Sequence, residues 1–266
     1  MNFTFRVFFM HICCMKKAYF NWSSGKDSSL ALYKILQQKE YDVQKLITNV
    51  NQDYQRVSMH GLHEDLLDAQ AESIGIPLEK IYFPAEVTMD LYNQRMKEKT
   101  AELKDAGLVN GIFGDIFLED LRAYRDSKLQ EVGITGVYPL WKQDTKELLR
   151  EFLALGFKTI TVCVNAKLLG EEFVGRVIDE DFINELPEGV DVCGENGEFH
   201  TFCYDGPIFK KPVEFEIGEK VLKSYTLHKS DDDNCYQDSK KTKKKEEGTT
   251  KNYDRSFWYC DLLLKK

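Results

Sequence analysis

The chain has 266 residues, 42% of them apolar and 30% charged, with a net charge of −8 at pH 7. That length fits one large domain or two modest ones, of which two are expected, and the balance is globular rather than disordered or fibrous. The acidic surplus argues against a nucleic-acid or membrane partner recruited by charge, so small molecules are the expected ligands.

Seven cysteines, at positions 13, 14, 163, 193, 203, 235 and 260, form no C-x-x-C pair and no metal-ligand spacing, and a reduced, cytoplasmic protein is expected. The opening MNFTFRVFFMHICCMKK has an apolar stretch broken by Arg6 and His11 and no small-residue cleavage site, which argues against a secretory signal. Residues 1–14 read as an upstream extension before Met15. No run of 18 apolar residues occurs, so no membrane span is expected.

In chain order, residues 17–22 read as a strand, 28–38 as a helix with Leu32, Ile35 and Leu36 on one face, and 43–50 as a second strand. A helix over 63–74 stops at Gly75 and Pro77, a strand covers 80–83, and Thr88 caps a long polar helix ending near Gly107. Residues 111–116 form another strand, followed by a helix from 118 that a glycine ends. Strands separated by helices imply crossovers and a mostly parallel sheet: an α/β, Rossmann-like doubly wound domain over 15–128. A second, smaller α/β substrate domain is expected over 129–266. It starts with a helix capped at Asp144, continues into the β-branched strand KTITVCVN, and ends with two strands around 214–228 and 256–264. The polar region 169–206 is expected to supply a second site wall, and the lysine-rich stretch at about 229–252 a disordered, solvated loop.

The stretch FNWSSGKDSSLALYKIL raises the chemical question. A glycine-containing turn between a strand and a helix directs backbone N–H groups and the positive end of the helix dipole at one point, which suits a phosphate. The turn is neither a Walker A loop nor G-x-G-x-x-G. From these residues alone, a serine-rich N-cap with an incidental lysine stays open.

Ser23-Ser24-Gly25-Lys26-Asp27-Ser28 closely resembles the pyrophosphate loop, S-G-G-K-D-S, of the N-type ATP pyrophosphatases, an adenine nucleotide alpha hydrolase-like fold. Together with Val57-Ser58-Met59-His60-Gly61, Gly114-Asp115-Ile116 and CGENGEFHT from Cys193 to Thr201, the chain resembles the diphthine-ammonia ligase family from about residue 17 to 209. The resemblance implies that Ser23, Gly25, Lys26 and Ser28 contact phosphate and that Asp27 lies near Mg2+, with Lys26 and Asp27 catalytic. Ser24 replaces the first glycine of the family loop, which is comfortable at negative φ and strained in a left-handed conformation. The reaction implied is adenylation of a carboxylate by ATP, release of pyrophosphate, and displacement of AMP by ammonia to give an amide. The family's substrate is diphthine, the modified histidine of translation elongation factor two. No glutaminase-like Cys/His constellation is apparent, so free ammonia is the expected nitrogen source.

Among the remaining candidates, Ser58 and Met59 are expected to line the nucleotide site, with core packing as the alternative for Met59. Gly114 and Asp115 follow a strand, where the carboxylate can face the ribose or Mg2+, or cap the next helix. Arg122 can meet a phosphate or acidic substrate, or form a surface salt bridge. With the resemblance, Glu195, Asn196, Glu198 and His200 are expected to bind substrate; without it, Asn196-Gly197 reads as a hairpin turn. His60 and His63 alone are weak metal ligands. Two alternatives to the ligase stay open: another ATP pyrophosphatase acting on a metabolite or RNA, and a non-catalytic adenine-nucleotide-binding module.

Overall fold

A computed structural model describes residues 15–58, 60–226 and 254–265. The expectations for residues 1–14, for Met59 and for the lysine-rich loop at 229–252 lie outside the described residues.

The first sheet contains β1 (Lys16–Asn21), β2 (Tyr41–Asn51), β4 (Leu78–Phe83), β5 (Asn110–Ile112) and β6 (Thr135–Val137). All pair in parallel in the order β4-β2-β1-β5-β6. The two-residue β3 (Arg56–Val57) runs antiparallel to the end of β2. The intervening helices are α1 (Lys26–Gln38), α2 (Glu64–Ile74), α3 (Met89–Asp105) and α4 (Glu119–Glu131). Period-two alternation sends β1 to both faces. Ala18 and Phe20 join Leu30, Leu32 and Ile35 of α1 and Leu66 and Leu67 of α2, while Tyr19 joins Leu103 of α3 and Leu129 of α4. Helices thus cover both faces, as the expected doubly wound sheet requires. Strand order reverses between β1 and β5, and in such sheets ligands occupy the crevice at the carboxyl ends of the strands around that reversal.

The caps lie where the sequence puts them. Thr88 Oγ1 accepts from Leu91 N at 3.2 Å, and Gly75 closes α2 at φ +83°, donating to Ala71 O. Two features of the first domain differ from expectation. β5 ends at Ile112 rather than 116; Phe113 N still donates to Val137 O at 2.9 Å, and beyond it Gly114 passes over the start of α1. The sheet also continues through Val137 of β6, past the boundary expected after residue 128, because Thr135–Val137 is laid against β5.

The second half opens with α5 (Thr145–Ala154), whose cap Asp144 accepts from Glu147 N at 3.0 Å. Its sheet comprises β7 (Lys158–Asn165), β8 (Phe199–Asp205), β9 (Phe215–Thr226) and β10 (Asp254–Leu264), with α6 (Glu180–Glu185) between β7 and β8. This sheet is antiparallel throughout, in the order β8-β7-β10-β9. Leu148, Leu149 and Phe152 of α5, together with Val162, Val164 and Phe202, belong to the same buried cluster as α1 and α2. One core therefore joins the two halves and presses β8 against the loop before α1.

Candidate functional site

The loop between β1 and α1 is built by close approach. Gly25 caps α1 in an extended conformation, φ −87° and ψ 177°, with no side-chain cap bond. A Cβ there would lie 3.2 Å from His60 Cε1, from Thr201 O and from Thr201 Oγ1. Across the crevice, a Cβ on Gly114 would lie 3.1 Å from Ser28 N and 3.2 Å from the Asp27 carbonyl carbon. Two glycines thus let His60, β8 and the loop after β5 crowd around one helix N-terminus. Lys26 N donates to Thr201 Oγ1 at 3.0 Å, while the Asp27 and Ser28 amides have no acceptor within the helix.

Ser24 has φ +70° and is fully buried. The family's glycine is thus replaced where a side chain is strained. Its hydroxyl donates to Ser23 O, and its carbonyl accepts from Cys203 N at 2.9 Å and Gln70 Nε2 at 3.0 Å. Ser23 and Ser28 hydroxyls bond to each other, fastening the two ends of the loop.

Lys26 is only 3% exposed, with its ammonium 2.7 and 2.9 Å from the Asp27 oxygens and donating to Cys193 O. Burial pulls the lysine pKa down, but attraction to Asp27, Cys193 and Glu195 outweighs it and keeps the group charged. Burial pushes the Asp27 carboxyl up, against the pull of Lys26. Glu195 accepts from Ile116 N at 2.9 Å, in the loop after β5. Burial, and then the nearby Asp27 charge, push its carboxyl up to about 7. His60 and His200 stack with ring centroids 4.8 Å apart. Burial and the neighbouring ring hold His60 well below the usual histidine range; burial and Lys26 bring His200 down to about 4. Both rings are neutral at pH 7, and His60 Nδ1 is buried with no hydrogen-bond partner among the described residues.

The segment 191–198 folds on itself before it meets anything else. Asp191 accepts from Cys193 N, Glu195 N and Thr145 Oγ1, at 3.0, 3.3 and 2.7 Å. Glu198, 2% exposed, accepts from Asp191 N, Asn196 N and Asn196 Nδ2. The carboxylate of Glu198, expected at the substrate, thus accepts three bonds within the turn, while Glu195 accepts from Ile116 N and Asn196 is exposed. Among the other candidates, Ser58 donates its amide to Asn49 O and accepts from His60 N, so it shapes the turn that delivers His60. Asp115 is neutralised by Arg125, which lies over the Phe113 ring. Arg122 lies 3.3 Å from Asp126 and 4.3 and 4.4 Å from the Tyr138 and Trp141 ring centroids, beside a cleft of about 250 Å³; Tyr138 in turn stacks on Phe113. The structure therefore brings Ser23 to Ser28, Ser58, Gly114, Asp115, Glu195 and His200 together around the N-terminus of α1, with Arg122 seated on Tyr138 and Trp141. His63 caps α2, with Nδ1 accepting from Asp65 N.

Sequence reasoning passed over Thr201, Asp191 and Gln70. Thr201 was adjacent to the recognised His200. Gln70 had a faint signal, a polar residue on the apolar stripe of α2; Asp191 had none.

The pattern described as the diphthamide synthase N-terminal domain matches residues 15–136, and that of the diphthamide synthase C-terminal domain matches 144–234. The diphthine–ammonia ligase of Homo sapiens is 28% identical over 186 residues, covering 64% of this chain and 68% of the relative. That of Danio rerio is 29% identical over 178 residues, covering 59% and 68%. Among solved structures, a U34-tRNA thiolase from Methanococcus maripaludis aligns with a TM-score of 0.35 and 14% identity over 55% of this chain and 60% of that one. With both domain patterns matched in order across most of its length, the chain belongs to the diphthine–ammonia ligase family.

Proposed function

We propose that this protein is an ATP-dependent amidoligase that converts diphthine, presented on an elongation factor, to its amide with free ammonia. The observation that carries the reading is the pyrophosphate-type loop with Lys26 buried at its centre, in a chain of this family. The ATP pyrophosphatases of other substrate class and the binding-only module are not favoured, since the relatives it matches are named diphthine–ammonia ligases.

The cradle fits a polyphosphate. The N-terminus of α1 carries the positive end of its helix dipole, and Lys26 adds a charged ammonium beside it, held against Asp27. Mg2+ suits the hard oxygens of Asp27. Bound there, Mg2+ would neutralise charge on the departing pyrophosphate.

In the proposed reaction a substrate carboxylate oxygen attacks the α phosphorus, and the bond to the β-phosphate oxygen breaks. Lys26 and the loop amides stabilise the charge that develops on the pyrophosphate. Ammonium gives up one proton to water to become ammonia, whose nitrogen attacks the acyl carbon; the acyl C–O bond breaks with its electron pair leaving on AMP, and a second proton passes from nitrogen to water to give the neutral amide. Glu195, a carboxyl poised near neutrality beside the crevice, is the group we assign to bind the incoming ammonium. The four described cysteines are free and buried, which suits a reducing, cytoplasmic setting, and no described helix is long and apolar enough to cross a membrane.

The test is to supply ATP, 15N-labelled ammonium and diphthine-bearing elongation factor. Incorporation of one 15N into the modified histidine, with one AMP per amide, is the expected result. AMP release without labelled amide would overturn the ligase reading.

A further inference from the structure

Gln70 is completely buried on α2, within the stripe formed by Leu66, Leu67, Ala71 and Ile74. A polar side chain there is costly unless its groups are paired, and all of its pairing goes to one place. Oε1 accepts from Trp22 Nε1 at 2.7 Å; Nε2 donates to Ser24 O at 3.0 Å and to Cys203 O at 2.6 Å. The indole N–H fixes which way the amide faces, since Trp22 can only donate and the two carbonyls can only accept. Trp22 and Ser24 open the phosphate-type loop, and Cys203 lies on β8 in the other half of the protein. Cys203 N donates to the same Ser24 carbonyl at 2.9 Å, so one carbonyl carries two donors.

That carbonyl belongs to the residue at φ +70°, a conformation a serine adopts reluctantly. In a planar trans peptide the carbonyl and the following N–H point in opposite directions. Turning Ser24 O to β8 therefore turns Gly25 N–H the other way, where it lies 3.4 Å from Ser23 Oγ on the inner side of the loop.

We propose that Gln70 is a positioning residue for the ATP reaction: it clamps the Ser24–Gly25 peptide, and with it the backbone of the phosphate-type loop, in one orientation. The inference rests on reading residues 23–28 as the pyrophosphate loop. Nothing in the clamp touches substrate, so its effect is carried through Ser24.

The test compares Gln70→Met, of similar length but without hydrogen-bonding groups, in wild-type and Ser24→Gly backgrounds. Glycine adopts the left-handed conformation without penalty, so the clamp has less to hold. In the wild-type background ATP–pyrophosphate exchange should fall about 10²-fold, the scale of a misplaced reacting group. In the Ser24→Gly background the same change should cost less than about threefold. A merely structural role would cost the same factor in both backgrounds, and that result, or wild-type exchange in Gln70→Met, overturns the proposal. If Gln70→Met melts below the assay temperature, Trp22→Phe, which removes the N–H that orients the amide together with part of a buried ring, carries the same comparison, since the lost packing is common to both backgrounds.

Hydrogen exchange without nucleotide separates this proposal from the functional reading. The Gly25 and Lys26 amides should exchange about tenfold faster in Gln70→Met, a loss of local protection. Unchanged exchange overturns the clamp even in an active ligase. Faster exchange in a protein that never turns over ATP upholds the clamp and overturns the reaction.

Discussion

At the scale of single residues, the site combines one buried cation with several carboxylates, and the two kinds of titrating group pull stability in opposite directions. Glu195 has a folded-state pKa of about 7 against an ordinary 4.5, so the stability it supplies is complete below pH 4.5 and is lost as pH rises through 7. His200, brought down to about 4 from 6.5, contributes above pH 6.5 and loses that contribution as pH falls towards 4. Glu195→Gln keeps an acceptor for Ile116 N but cannot ionise. Its melting temperature should match wild type near pH 5 and exceed it by a few degrees at pH 8. A difference that stays constant from pH 5 to pH 8 would contradict the placement of Glu195 beside Asp27. These residues differed in how legible they were. Lys26 and Asp27 stand out in a polar turn between a strand and a helix, and Glu195 only through the resemblance of CGENGEFHT, whereas the surroundings of Glu198 and Ser24 depend on which way a side chain or a φ angle turns. Ser24 in particular needed the two donors on its carbonyl to explain how it tolerates φ +70°.

At the scale of elements, two glycines on different segments do the shaping, and only the close approach of backbones explains them. A Cβ at Gly114 would press on Ser28 N and the Asp27 carbonyl carbon, both backbone and unable to swing aside. Gly114→Ala should therefore weaken ATP binding about tenfold or more by shifting the N-terminus of α1, with little change in melting temperature; calorimetric titration with ATP measures the first and a thermal melt the second. Wild-type affinity in Gly114→Ala would contradict the contact. Helices and strands with clear periodicity, such as α1, β2 and β7, could be read from the chain because one buried face imposes a regular pattern. β6 and β8 could not. β6 has three residues, too few to show a period, and β8 begins inside the polar, glycine-punctuated stretch whose residues serve the site as well as the sheet.

At the scale of the whole molecule, the alternation of strands and helices made the doubly wound first half legible, but not how closely the second half grips it. Ser24 and Lys26 bond to Cys203, Thr201 and Cys193, so strand β8 and the turn before it mould the loop of the other half. Such pairing joins residues about 170 positions apart, which local patterns cannot encode. Because one apolar cluster runs through both halves, unfolding should be a single cooperative transition by calorimetry, with equal calorimetric and van't Hoff enthalpies; two resolved transitions would contradict a shared core. The central claim is that Lys26, buried at the heart of this joint structure, serves cleavage of ATP at the α phosphate. ATP–pyrophosphate exchange in the presence of diphthine-bearing elongation factor, measured for wild type and Lys26→Ala, tests it most directly. The account predicts exchange by the wild type and a loss of about 10²-fold or more in the variant, with AMP as the nucleotide product. ADP in place of AMP, or undiminished exchange in Lys26→Ala, would contradict it.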